Sequence, residues 1–262
     1  MNYNNPTEAA NDFRMAALSK TTRSLPELAL MGILGGAFIA IGGLLSVMVA
    51  GGMPDVALAN PGIVKFIAGA MFPVGLIMVS LTGADLFTSN CASFTFTLFK
   101  KDINLQKYVL ALLFSYIFNY IGAQFIGYLL SANVGLLDAD PWRSYLISYS
   151  ELKVNQDFMT VFWKGIGANW LVCLGMYMGY TSKDVIGKCI GIWIPVMIFV
   201  TLGYEHSIAN MFFIPAAIYI GADISWQSFL LQNLLPATIG NIIGGSVLVG
   251  MVYWYLFLRK VD

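Results

Sequence analysis

Apolar residues cluster into long runs separated by short polar segments. Six runs stand out, at residues 28–51, 62–99, 106–132, 157–180, 185–219 and 228–258. A helix crosses the hydrocarbon core of a bilayer in about 20 apolar residues, so each run predicts a transmembrane helix. The second and fifth are too long for one straight crossing, and both hold polar residues at their centres. These two are expected to be interrupted, near Leu86–Asn90 and His206–Ile208. Ahead of the first run, Asn5, Pro6 and Glu8 give the signature of a helix start: a capping side chain, a proline in the first turn and a capping-box acid. Residues 6–20 are read as a short amphipathic helix, either a surface anchor or a gate under a pore mouth. The chain then divides into a polar segment, 1–27, and a membrane domain, 28–262, whose two halves are 28–132 and 157–258.

Composition supports lipid as the solvent. Hydrophobic residues make up 58% of the chain and charged residues 11%, against about 25% charged in a soluble domain. The net charge is zero, which offers nucleic acid no electrostatic footprint. Cys91, Cys173 and Cys189 lie in apolar runs, without disulfide or metal spacing, and read as packing residues. Neither a metal nor a cofactor is expected. The polar first 26 residues predict no cleavable signal peptide. If the N-terminus is placed inside, ten of the fourteen Lys and Arg, among them Arg14, Lys20, Arg23 and Lys107, fall in inner segments. Lys65, Arg143, Lys153 and Lys164 remain outside. The excess of inner positive charge predicts that both termini are cytoplasmic. Lys164 is expected to snorkel to the outer interface.

The two broken-looking runs resemble each other. GADLFTSN at 83–90 and GYEHSIAN at 203–210 share a first Gly, an acid two positions on and Asn seven positions on. Asn119-x-x-Gly122 and Asn241-x-x-Gly244 repeat at nearly the same offset. Three spans per half would invert the second half relative to the first, the plan in which paired interrupted helices meet at the site. Pro73 and Pro195 precede the breaks and fit this plan. Of the fourteen acids, only Asp85 and Glu205 lie deep within runs. A carboxylate there costs about 2.5–3.5 kcal/mol even on the lenient insertion scale, so both must accept hydrogen bonds. They are read, with Asn90 and Asn210, as supports of the helix breaks. His206 is the chain's one histidine and sits at a break. An ionisable group at membrane depth is functional by default, and Thr88 is its approximate counterpart in the first repeat. The glycines of Gly175-xxx-Gly179 and Gly240-xxx-Gly244 are read as helix-packing positions.

On these motifs the chain resembles the formate/nitrite transporter family. GADLFTSN, GYEHSIANMFFIP at 203–215 and ANWLVCLGMYMGYTSKD at 168–184 carry the likeness, which extends over essentially the whole chain. The resemblance implies an all-α, aquaporin-like fold of six transmembrane helices with helices 2 and 5 interrupted, assembled as a homopentamer in a bacterial inner membrane. It implies a channel, passive or proton-linked, for formate, nitrite, hydrosulfide and similar small anions, with the hydrosulfide branch favoured. Carried over residue by residue, Thr88, His206 and Asn169 form the polar centre. Phe72, Leu76, Leu86, Val172 and Phe199 form the apolar constrictions, and Lys153 attracts anions at the outer vestibule. Small anions and membrane lipid are the expected partners. An aquaporin-like pore for neutral solutes is the alternative, but Asn60-Pro61-Gly62 lies in a loop and the breaks lack Asn-Pro-Ala signatures. One His with no nucleophile–base pair or metal cluster does not make an enzyme.

Overall fold

The computed structural model describes residues 3–260, so positions 1–2 and 261–262 of the predicted segments lie outside the described residues. Helix α1, Pro6–Lys20, starts as the sequence predicts. The Asn5 side chain accepts from the Thr7 and Glu8 amides, and Glu8 accepts from the Asn5 amide. Helix α2 spans Leu25–Gly51. After a short α3, Pro54–Ala59, the second apolar run forms α4 (Pro61–Met71), α5 (Val74–Thr82) and α6 (Phe87–Phe99). Helix α7 covers Leu105–Ala132, its last turns widening to i→i+5 spacing. A surface helix, α8 (Trp142–Val154), leads into α9 (Phe158–Thr181). The fifth run forms α10 (Val185–Thr201) and α11 (Ser207–Tyr219), and α12 closes the chain at Trp226–Leu258. Helices α2, α7, α12 and the stretch Pro61–Thr82 are long and apolar enough to cross a membrane. Helix α9 has the length, at 24 residues, but carries Lys164 and Asn169.

Both long runs are interrupted, slightly ahead of where the sequence places the breaks. Helix α5 ends at Thr82 and α6 begins at Phe87; α10 ends at Thr201 and α11 begins at Ser207. Residues 87–90 and 207–208 are already helical. Glycine sets these positions. Gly83 has φ +77° and Gly203 φ +69°, a left-handed conformation that stops a helix and that residues with a Cβ resist.

The two halves pack alike. Helix α2 lies along α7, and α9 along the Leu235–Gly245 stretch of α12. A Cβ added at Gly36 would lie 1.9 Å from the Asn119 carbonyl, and one at Gly122 would lie 1.9 Å from the Ile33 carbonyl. At the second crossing, Gly240 and Gly244 would each approach a carbonyl of α9, Phe162 and Ile166, to 2.3 Å. Backbone-to-backbone approach replaces interdigitated side chains, as expected where lipid supplies no hydrophobic drive between helices. Gly175 and Gly179 likewise face Ile192 of α10. Between the paired helices lie the half-helices α6 and α11, buried from Phe87 to Thr97 and from Ser207 to Ala217. Non-helical backbone at this depth is tolerated because protein encloses it.

Helix α1 directs its apolar face at the protein instead of at lipid. Ala9, Ala10, Phe13 and Ala17 are buried. Phe13 stacks on Tyr180 at 5.0 Å and meets Phe96 edge-on at 5.9 Å. Arg14 forms a two-pronged pair with Asp102, its Nη2 donating to Oδ1 at 2.7 Å, and the Tyr177 hydroxyl donates to the Pro6 carbonyl. The surface-anchor reading is overturned for this face.

Candidate functional site

Each break is rebuilt by an asparagine from a neighbouring helix. Asn119 Nδ2 donates to the carbonyls of Gly32 and Asp85, and its Oδ1 accepts from the Phe87 amide. Asn241 repeats the set with Gly165, Glu205 and the Ser207 amide. The sequence flags these asparagines as a repeat but does not reveal the bonds, because Gly32 and Gly165 are remote in the chain. Orphan backbone groups at the break thus find partners without water.

The two deep carboxylates are satisfied in parallel ways. Lys20 Nζ, at the end of α1, donates to Asp85 Oδ1 at 2.6 Å and to Asn90 Oδ1 at 2.9 Å; Asn90 Nδ2 donates to Asp85. Lys153 Nζ, near the end of α8, donates to Glu205 Oε2 at 2.9 Å, which also accepts from Asn210 and Asn233. Asp85, Glu205, Asn90 and Asn210 therefore sit where the sequence reading puts them. The two lysines that neutralise the acids were not linked to them in sequence. Their common offset was the available signal: Lys20 and Lys153 stand 133 positions apart, as do Gly32 and Gly165.

Lys153 is not an open vestibule cation. It is 5% exposed, with its ammonium 4.9 Å from the Tyr149 ring centroid and 5.9 Å from that of Phe213. A buried Glu205 needs a buried counter-charge, and this requirement pulls the lysine inward. Nor does Lys164 merely snorkel. Its ammonium donates to Gln156, whose own amide donates to Glu205 at 3.1 Å. Gln156 and Asn233 are further members of this cluster that the sequence does not single out.

Thr88, His206 and Asn169 come together in the structure. His206 Nε2 lies 3.0 Å from Thr88 Oγ1, and both residues are buried. His206 also caps α11, its Nδ1 accepting the Ala209 amide at 3.1 Å. With Nδ1 an acceptor, a neutral ring carries its proton on Nε2, which donates to Thr88. By register, the counterpart of His206 is Leu86, the residue at the same position before α6, and Thr88 is two positions further on. Asn169 adjoins this centre through backbone: its Nδ2 donates to the carbonyls of Thr88 and Asn241. Cys173 lies against the same Thr88 carbonyl at 3.1 Å.

Aromatic residues close one side of the centre. Phe199 stacks on His206 with centroids 5.7 Å apart, and Phe72 meets Phe199 edge-on at 5.7 Å. A cavity of about 10 Å³, close to the space of one water, touches Phe72, Phe199, Phe213, Lys153, Asn210 and His206. Leu86 borders a different cavity, of about 160 Å³, together with Ser89, Lys20, Arg23 and Tyr180. Leu76 and Val172 are buried in the same apolar cluster as Phe72, Phe199 and Leu86. The two cavities, one bordered by His206 and Lys153 and the other by Leu86 and Lys20, adjoin an aromatic and aliphatic cluster around the buried Thr88 and His206.

A family model described as formate/nitrite transporter matches residues 7–255. The chain is 37% identical to a probable formate transporter of Methanothermobacter thermautotrophicus, over 98% of both chains. It is 36% identical to the formate channel BtFdhC of Bacillus thuringiensis, over 99% of this chain and 98% of that one. Its fold matches a solved pentameric formate channel with formate bound at a TM-score of 0.77 and 29% identity, covering 89% of this chain and 98% of the other. A chain with this helical architecture, these paired breaks and these relatives is a membrane transport protein and not an enzyme, and it belongs to the formate/nitrite transporter family.

Proposed function

We propose that the chain is a pore for small monovalent anions, with formate as its substrate, assembled as a homopentamer with one pore per subunit and with both termini cytoplasmic. The single observation that carries this reading is the His206–Thr88 pair, held in an apolar middle with one buried and one part-buried lysine–carboxylate pair near it. Formate is favoured over hydrosulfide because the two curated relatives described above are named for it and the solved channel holds it. An ion entering between Phe72, Phe199, Leu76, Leu86 and Val172 loses water, which is very costly for an isolated charge. Three features offset that cost. The N-termini of α6 and α11 add positive potential. Lys153 and Lys20 border the cavities on either side of the middle. His206 Nε2–H and the Thr88 hydroxyl offer donors, and the imidazole, once it has taken up a proton to become imidazolium, can pass one to formate and return to the neutral ring, so that formic acid crosses. Asn169 fixes the Thr88 backbone, and with it the aim of that hydroxyl.

The test is efflux from proteoliposomes loaded with formate, nitrite, hydrosulfide or glycerol, at several pH values. Flux of formate ahead of glycerol supports the proposal. Equal or faster glycerol passage sinks it in favour of an aquaporin-like pore.

A further inference from the structure

A lateral cavity of about 150 Å³ lies between α1, α2, α6 and α7, outside the pore described above. Its lining includes the apolar Leu28, Leu110 and Phe114 and the charged Lys20, Lys107 and Asp85. Among the described residues, Lys20 alone borders both this cavity and the 160 Å³ cavity beside Leu86. The Lys20–Asp85 pair is therefore a wall between a side pocket and a mouth of the pore.

Leu110 of the pocket's lining, and Leu113 beside it on α7, are exposed in the single chain. The charges of the lining are unbalanced, two lysines to one acid. Lys107 makes no ion pair with an acid among the described residues, and it sits in the first turn of α7, which holds no acid. A cation there opposes the helix dipole, so two positive sources add at one point, with an apolar groove beside them. A long apolar chain ending in a negative headgroup complements both parts. A soluble anion matches only the charge. Basic pockets between transmembrane helices on the cytoplasmic side take anionic lipid headgroups on the same grounds.

We propose that this pocket seats an anionic phospholipid, its phosphate on Lys107 and its chain along Leu28, Leu110 and Phe114, and that the bound charge draws on Lys20 and so adjusts the neighbouring pore mouth. The regulatory half rests on the transport reading above; the binding half does not. The headgroup competes with Asp85 for the Lys20 ammonium. Loosening that pair frees the end of α1 and leaves more of the lysine's charge to the cavity beside Leu86.

Native mass spectrometry of the detergent-purified oligomer, titrated with phosphatidylglycerol or phosphatidylcholine, measures binding without flux. The expected result is preferential retention of phosphatidylglycerol, reduced about fivefold in Lys107→Gln, with the oligomer intact. Equal retention by Lys107→Gln and the unaltered protein overturns the site. A benzophenone amino acid at position 110 identifies the occupant: a lipid adduct supports the proposal, and a covalent dimer assigns the groove to a second copy and overturns it. Free glycerol phosphate should not compete; displacement by it would mean a soluble-anion site. Formate flux should differ between vesicles with and without phosphatidylglycerol, and Lys107→Gln should abolish the difference. A flux difference unchanged in Lys107→Gln overturns the regulatory half. Lysine-dependent lipid retention without any anion flux would sink the transport reading and leave the lipid site standing.

Discussion

Lys20 and Lys153 do the same work from equivalent places. Each lies at the end of a short helix that precedes a long one, and each donates to the carboxylate of a helix break, at 2.6 and 2.9 Å. The duplication thus includes α1 and α8 as well as the paired breaks. The two pairs differ in depth. The Lys153 and Glu205 side chains are 6% and 2% exposed, while those of Lys20 and Asp85 are 17% and 6% exposed.

That difference predicts unequal mutants. Lys153→Met leaves Glu205 buried and unpaired, a change that costs about 3–5 kcal/mol. Thermal unfolding of the detergent-solubilised oligomer should show a large loss, mostly recovered in Lys153→Met with Glu205→Gln. Lys20→Met should cost less. Because Lys153 is enclosed, the formate flux lost in Lys153→Met should be similar at low and high salt, since screening acts mainly on exposed charges. Full stability in the single mutant, or a loss of flux confined to low salt, would show that the pair is solvated.

Helix approach gives a second prediction. Gly36→Ala places a methyl 1.9 Å from the Asn119 carbonyl, so α2 and α7 must part and Asn119 must leave the carbonyls of Gly32 and Asp85. Overpacking of this kind costs about 1–3 kcal/mol. Gly62→Ala has nothing within 4 Å of the added Cβ. The first variant should lose assembled protein on size-exclusion chromatography and the second should not.

The run lengths and polar centres show that two helices break, and the repeat of Asp85 and Glu205 marks the two breaks that the structure brings together. Hydrophobicity places each break a few residues late because Gly83 and Gly203 stop their helices through φ, which hydrophobicity does not encode. Helices α3 and α8 escaped notice because they carry no apolar run. Charge alone suggests water and so points Lys153 and Lys164 outward, whereas the structure turns both toward the Glu205 cluster. Glu205 lies 52 positions from Lys153, and Gln156, eight positions from Lys164, sits in the turn between α8 and α9, so the folded contacts are needed to reveal both partners.

Acid pH should act on the caps separately from the pore. Asp184 caps α10 outside the apolar run, and hydrogen bonds from the Gly187 amide and the Ser182 hydroxyl hold its carboxyl below the ordinary value of 3.8. A lowered value means that its contribution is present above pH 3.8 and is lost as pH falls through the folded value. The cap is therefore constant between pH 7 and 5. Asp184→Asn, which keeps a good capping side chain, should leave the pH profile of formate flux in that window unchanged. A shifted profile would place part of the pH response at this cap.

The pH response should instead belong to His206. Its ring holds two bonds at once, accepting the Ala209 amide on Nδ1 and facing Thr88 Oγ1 through Nε2. A proton added to Nδ1 makes the imidazolium and opens the cap of α11; in that state the ring can pass a proton to formate and return to neutral. Asparagine can reproduce the geometry in part. Its Oδ1 can accept from the Ala209 amide and its Nδ2 can donate toward Thr88, but it cannot titrate. His206→Asn should assemble normally, since the cap survives, and its formate flux should lose its dependence on pH or pass a different species. Thr88→Val, nearly equal in volume, removes the facing hydroxyl and leaves the imidazole to titrate. It should lower flux while keeping the shape of the pH profile. Efflux measured from pH 5 to 8 on both variants separates the roles. An unaltered profile in His206→Asn would reduce the histidine to a helix cap and remove proton transfer from the mechanism.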